Sequence, residues 1–206
     1  DAALRALEDH DIVLIHVETS ALEWGKRATV HELTHLVIHQ KIRSPLGDLS
    51  MPRWVDEGLA MYYETYPDTL DSQFNSPLKR AIQNDTAVPL RTLSGSFPAD
   101  SAAANLAYAQ SYAAVEFIYR KYGKDKMATL LQEFKKGGHY DDILKKVLGV
   151  DTDGLDNVWR QDVGLKPRAV VTRASTQPTA FPTYSLSTDA TPTPGAAKPT
   201  ATPQQV

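Results

Sequence analysis

Cysteine is absent from the 206 residues. Disulfides and thiolate metal sites are thereby excluded together, so any metal held by this chain must be held by imidazole and carboxylate. Basic charge is not in excess: the net charge of −3 gives no footprint for nucleic acid as a partner. No apolar run approaches the roughly 20 residues of a membrane-spanning helix. The start, Asp1-Ala2-Ala3-Leu4-Arg5, lacks the apolar region of a signal peptide. A processed or trimmed chain is expected, from which a signal or anchor has been removed. The length suits one domain with a real core plus a tail.

Strand signals are also scarce. Asp11 to Val17 is short, apolar and β-branched, the pattern of a strand buried on both faces. Residues 2–9 allow one or two helical turns. With few other strands on offer, the partner of this strand is expected in a sheet only partly present here, or in a lobe upstream of residue 1. His10 and His16 flank or lie in the strand and read as packed or surface residues.

Helical spacing dominates the chain beyond this strand. It runs from about Leu22 to Ile42, with Val30, Leu33, Thr34, Val37 and Ile38 as the expected core face. After a loop around Ser44–Asp48, Pro52 suits the start of a second helix, in which Val55, Leu59, Tyr62 and Tyr63 recur. Gly58 inside it costs about 1 kcal/mol relative to Ala, so a close approach is expected there, for instance to the first helix or to a metal. Further helices are expected near 70–84, 102–122, 125–136 and 141–148, and a last one capped by Asp151 or Thr152. This is a mainly α (α+β) chain with a small N-terminal sheet and a helical C-terminal lobe. From about Thr172 the sequence is mostly Thr, Pro, Ala, Ser and Gln, too poor in apolar surface to order itself. The domain is therefore set at 1–166 and a disordered Thr/Pro-rich tail at 167–206. Such tails serve as spacers near a wall or membrane, which favours an extracytoplasmic location.

The chemistry is concentrated in His31-Glu32-Leu33-Thr34-His35. On a helix, residues four apart share one face, so the two imidazoles can meet one metal ion, with Glu32 beside them to handle protons. A catalytic zinc needs a third protein ligand. His39 continues the row, but eight residues of helix rise about 12 Å, while ligands sit about 2 Å from zinc. One ion cannot join His31 and His39. A metzincin pattern would need Gly at 38 and His at 41; Ile38 and Lys41 stand there. Glu57 remains. It lies far enough downstream for the first helix to end, a loop to turn and a second helix to return antiparallel across it.

Trp54-Val55-Asp56-Glu57-Gly58-Leu59-Ala60 resembles the W-x-x-E-G-x-A segment of gluzincin peptidases. With H-E-x-x-H in register, the chain is identified as a member of the peptidase MA-like family. This is a relative of the aminopeptidase N family, which carries N-E-G-x-A at similar spacing; Asp56 stands where Asn is often found. The resemblance implies a thermolysin-like catalytic domain holding one Zn2+ through His31, His35 and Glu57. Two neutral imidazoles and one carboxylate leave the ion net positive, which lowers the pKa of a coordinated water towards neutrality. Glu32 is then the expected general base. Ala107 to Val115 resembles the Y-x-x-G-x-A helix start of the aminopeptidase N family, with Ser111 at the small Gly. That makes Tyr108 the expected oxyanion donor and Tyr112 the second choice. The resemblance continues through Tyr122-Gly123 and Leu148-Gly149 to Trp159.

The G-x-M-E-N segment of the aminopeptidase N relatives, whose Glu holds the substrate's free amine, is missing; Thr19 to Trp24 stands in that region, with Glu23 as a weak substitute. An endopeptidase acting on peptide or protein substrates is therefore expected, as a monomer without nucleic acid or membrane span. The alternative is a zinc-containing binding domain of the same fold without turnover. Asp56 and Glu64 are candidate partners for the far sides of the histidines.

Overall fold

The computed structural model describes residues 4–7, 12–15, 18–44 and 51–169, the first two segments by backbone alone. The chain divides into two units, Asp1–Val170 and Val171–Val206. Most of the tail expected from residue 167 lies outside the described residues, as do 45–50, His10 and His16.

Strands β1 (Leu4–Leu7) and β2 (Ile12–Ile15) pair antiparallel, with Leu4 opposite Ile15 and Leu7 opposite Ile12. The helical turns considered for residues 2–9 thus give way to a strand. Isolated turns are costly to nucleate, whereas a neighbouring strand satisfies the same backbone groups at once. The partner of β2 is the segment just before it. β2 also lies against the first helix.

Seven α-helices come after the strands among the described residues: α1 (Leu22–Ile42), α2 (Arg53–Thr65), α3 (Ser72–Gln83), α4 (Ser101–Tyr122), α5 (Lys124–Lys136), α6 (Tyr140–Leu148) and α7 (Thr152–Asp162). The fold is mainly α, as the periodicity implied. Pro52 precedes α2 in extended backbone. Of the two residues considered as cap for α7, Asp151 performs it, its side chain accepting from the Gly154 amide at 2.9 Å; Thr152 is drawn instead to Asp141.

Helix α2 is the centre of the domain, packed between α1 and α4. Trp54, Val55, Leu59, Phe117, Ile118, Leu130, Phe134, Leu144, Leu155 and Trp159 form the middle of one continuous core. Gly58 is a point of close approach between α2 and α4. A Cβ there would lie 2.5 Å from the Ser111 carbonyl oxygen and 2.6 Å from a Val115 methyl. The close approach expected at Gly58 is therefore to α4 rather than to α1 or the metal site.

The expected core face of α1 is a misassignment in part. Ile38 is buried, but Val30, Leu33 and Val37 are exposed, Val37 by 64%. The buried residues of α1 are Gly25, Glu32, Ile38 and Ile42. The side of α1 turned to α2 carries His31 and His35, so polar residues occupy positions that a periodicity argument reserves for apolar ones.

The C-terminal end is tied down by charge. Arg91 bridges Asp141 and Asp153 at 2.9 Å each. Beyond α7, Arg168 donates to Asp156 at 2.9 Å and to the carbonyl of Ala87.

Candidate metal centre

The regular spacing of α1 turns His31 and His35 to the same side. Their rings meet edge to face, with centroids 4.9 Å apart. The antiparallel return of α2 brings a carboxylate to them: Glu57 Oε2 lies 3.6 Å from His31 Nε2 and 3.5 Å from His35 Nε2. Tetrahedral zinc with bonds of about 2.0–2.1 Å spaces its ligand atoms about 3.3 Å apart. Both Glu57 distances stand within tenths of an ångström of that spacing, and the three ligand atoms all lie within 4.8 Å of one another, so the donor set fits the ion in kind and in size.

The far ring nitrogens are equally specified. His31 Nδ1 is 2.9 Å from Glu64 Oε2 and His35 Nδ1 is 2.8 Å from Asp56 Oδ1. A carboxylate only accepts, so each Nδ1 carries the proton and each Nε2 presents its lone pair towards Glu57 when the ring is neutral. Carboxylate–imidazole pairs of this kind fix the orientation of metal-binding histidines. Asp56 and Glu64, the candidates from sequence, are the two residues found there.

The electrostatics reflect burial set against pairing. Burial alone would lower both imidazoles; hydrogen bonds to Glu57 and Glu64 outweigh it and lift His31 to about 9. Those to Asp56 and Glu57 lift His35 to about 10. Burial would raise Glu57, but its hydrogen bonds with both histidines hold it down at about 2. Asp56 is likewise pulled far below the usual carboxylate range by His35 and His39 against its burial. This is a pocket of strongly paired opposite charge, where a dication can replace ring protons.

His39 stays outside the trio, its Nε2 being 3.3 Å from Asp56 Oδ2. His35, His39 and Asp56 do form a second cluster of metal-capable groups within 4.8 Å. Its His35 contact, Nδ1 to Asp56 at 2.8 Å, is of hydrogen-bond length, shorter than the spacing between two ligands of one ion. Asp56 acts as an orienting bridge between the two rings.

Glu32 is buried, 8% exposed, and among the described residues no side chain pairs with its carboxylate. Its charge is felt at Tyr108, whose hydroxyl is pushed above the usual range by burial first and by Glu57 and Glu32 after it. Tyr108 closes on the trio from α4, its ring centroid 6.5 Å from that of His31. Tyr112 turns elsewhere, to Tyr62, at 6.1 Å between centroids. Glu23 is exposed and pairs with Lys26 at 2.7 Å.

Two residues at the site were missed in the sequence. Arg53 Nη2 reaches Glu57 Oε1 at 3.0 Å, and its guanidinium lies over the ring of Phe97, 5.1 Å from the centroid. Phe97 in turn meets Tyr108 edge-on at 5.2 Å. Arg53 stands four residues before Glu57 on α2, so helical spacing was a usable signal. Phe97 sits in the loop before α4 and gave none.

No curated protein and no solved structure matches the chain. Comparison with protein families matches residues 3–164 to the Peptidase MA superfamily. That span runs from the first strand through α7 and takes in His31, Glu32, His35, Glu57 and Tyr108. The match covers well over half of the residues, and the chain belongs to the Peptidase MA superfamily.

Proposed function

We propose that the protein is a zinc-dependent peptidase, with His31, His35 and Glu57 holding one zinc ion per chain. The observation that carries this is the shared focus of His31 Nε2, His35 Nε2 and Glu57 Oε2, with both Nδ1 atoms held by carboxylates. Bound zinc supplies Lewis acidity, polarising a carbonyl and making water a nucleophile near neutral pH. The remaining work falls to the chain. Glu32, buried beside the first ligand and unpaired among the described residues, takes the proton of the attacking water and passes it to the leaving amine. The Tyr108 hydroxyl donates to the carbonyl oxygen as charge develops on it.

Internal peptide bonds are the favoured substrates. The chain has no G-x-M-E-N segment to hold a free amine, and the one acidic side chain considered for that task, Glu23, is engaged with Lys26. No helix among the described residues is long and apolar enough to cross a membrane. A monomer acting outside the cytoplasm is the setting that fits the Thr/Pro-rich tail.

The test is Glu32→Gln. Wild type and variant are expected to carry one zinc per chain. On a mixed peptide library read out by mass spectrometry, wild type cleaves internal bonds and the variant is slower by at least about 100-fold. Equal cleavage by the two proteins overturns the role of Glu32. A wild-type protein that binds zinc but cleaves nothing points to the binding-domain alternative.

A further inference from the structure

The two oxygens of Glu57 face different partners. Oε2 looks at the imidazoles, 3.5 and 3.6 Å away; Oε1 is 3.0 Å from Arg53 Nη2. Arg53 is itself fixed. Its position four residues before Glu57 puts both on one face of α2, and the flat guanidinium rests on Phe97. The terminal torsion of a glutamate is soft and roughly two-fold, so a carboxylate with a single partner offers either oxygen, or both, to an ion. Glu57 is denied that choice.

We infer that Arg53 is a positioning residue of the metal centre: it occupies Oε1 and so leaves Oε2 as the one oxygen of Glu57 turned to the histidines. The inference rests on the zinc reading above. It completes a pattern in the site. Each member of the trio has a partner that aims it: Glu64 for His31, Asp56 for His35, Arg53 for Glu57. The first two are the familiar carboxylate–imidazole kind. The third is a cation aiming a carboxylate, and it brings Phe97 into the service of the site as the surface on which the guanidinium lies. A planar fork held on a ring suits this task better than a flexible ammonium.

The experiment compares wild type with Arg53→Met and Arg53→Lys in the full chain. Met keeps apolar contact with Phe97 and removes the donor; Lys keeps a donor and the charge. Arg53 is about half exposed, its side chain at 45%, so the fold is expected to hold in both, as circular dichroism checks. Zinc affinity is read by chelator competition, and the visible spectrum of the cobalt(II)-loaded protein reads the coordination directly. In Arg53→Met zinc binds about 10- to 100-fold more weakly, in the range for lost orienting partners. The cobalt bands also weaken, by half or more, as the second oxygen of Glu57 joins the ion. The lost charge acts in the opposite sense, but it is screened by solvent and the loss of aim prevails. Arg53→Lys falls between the two. Wild-type affinity and an unchanged cobalt spectrum in Arg53→Met overturn the inference while leaving the zinc reading intact. A wild-type chain that takes up neither metal overturns both.

Discussion

Asp56 Oδ1 sits 2.8 Å from His35 Nδ1 and turns that ring so that Nε2 faces Glu57. The adjacent residues Asp56 and Glu57 thus serve the same histidine from opposite edges. Asp56→Ala removes the acceptor and frees the ring to rotate or change tautomer. Zinc affinity is expected to fall about 10- to 100-fold, measured by competition with a chromophoric chelator, while saturating zinc restores full occupancy. His39 meets the other oxygen of Asp56, at 3.3 Å. His39→Gln should leave affinity close to that of wild type; a loss as large as that of Asp56→Ala would make His39 part of the centre.

The metal-free protein should have a narrow pH range of greatest stability. His31 and His35 are raised from 6.5 to about 9 and about 10 by hydrogen bonds to Glu57, Glu64 and Asp56 that outweigh burial. The folded form therefore binds protons more tightly than the unfolded one. The stability this confers is complete below pH 6.5 and is lost as pH rises through the folded values. Glu57 has the opposite sign. Lowered from 4.5 to about 2, it stabilises fully above pH 4.5 and ceases to do so as pH falls towards 2. Chelator-treated protein is thus expected to resist urea best between those limits and to weaken from pH 6.5 to 9. Zinc-loaded protein should not weaken there, because the ion takes the place of the ring protons. Stability that stays level or rises over that alkaline span in the metal-free protein would contradict the pairing described for the histidines.

The helix series and the trio were legible because they rest on short-range rules. His31 and His35 are four apart, Glu57 is one return helix away, and Gly123, Gly137, Gly149 and the Asp151 cap mark ends of the later helices. The inward face of α1 was not legible. Apolar periodicity marks a face but does not say whether that face is buried, and here the histidines that build the site take part of the side turned to α2. β1 was hidden for a related reason: Leu4–Leu7 is too short to declare a period, and pairing with β2 decides its conformation. Phe97 reaches the site only through the path of a loop, which no local pattern encodes.

Tyr108 and Tyr112 lie one turn apart on α4 and differ in what they face. The Tyr108 ring approaches His31 at 6.5 Å, whereas Tyr112 approaches Tyr62 at 6.1 Å. Burial and the nearby carboxylates keep the Tyr108 hydroxyl protonated, the form that donates. Tyr108→Phe is expected to lower kcat/KM about 100- to 1000-fold, the usual effect of losing one oxyanion donor, with zinc content unchanged. Tyr112→Phe should retain most activity. The two roles would be reversed by the opposite ranking in steady-state assays on a peptide cleaved by wild type.

Gly58→Ala tests whether the contact of α2 with α4 is as tight as it looks. Alanine is the better helix former by about 1 kcal/mol, so an open position would gain from the change. Here the new methyl would stand 2.5 Å from the Ser111 carbonyl oxygen. That oxygen is backbone and cannot swing aside; the helices must separate. Overpacking of this kind costs about 1–3 kcal/mol, and with about 2–4 °C of melting temperature per kcal/mol in a domain of this size, a clear drop in Tm is expected. The separation also moves α4 from α2, and with it Tyr108 from Glu57, while the α1–α2 contact that assembles His31, His35 and Glu57 is untouched. Activity should therefore fall further than zinc content does. A variant as stable as wild type would show that α2 and α4 have room to spare at Gly58.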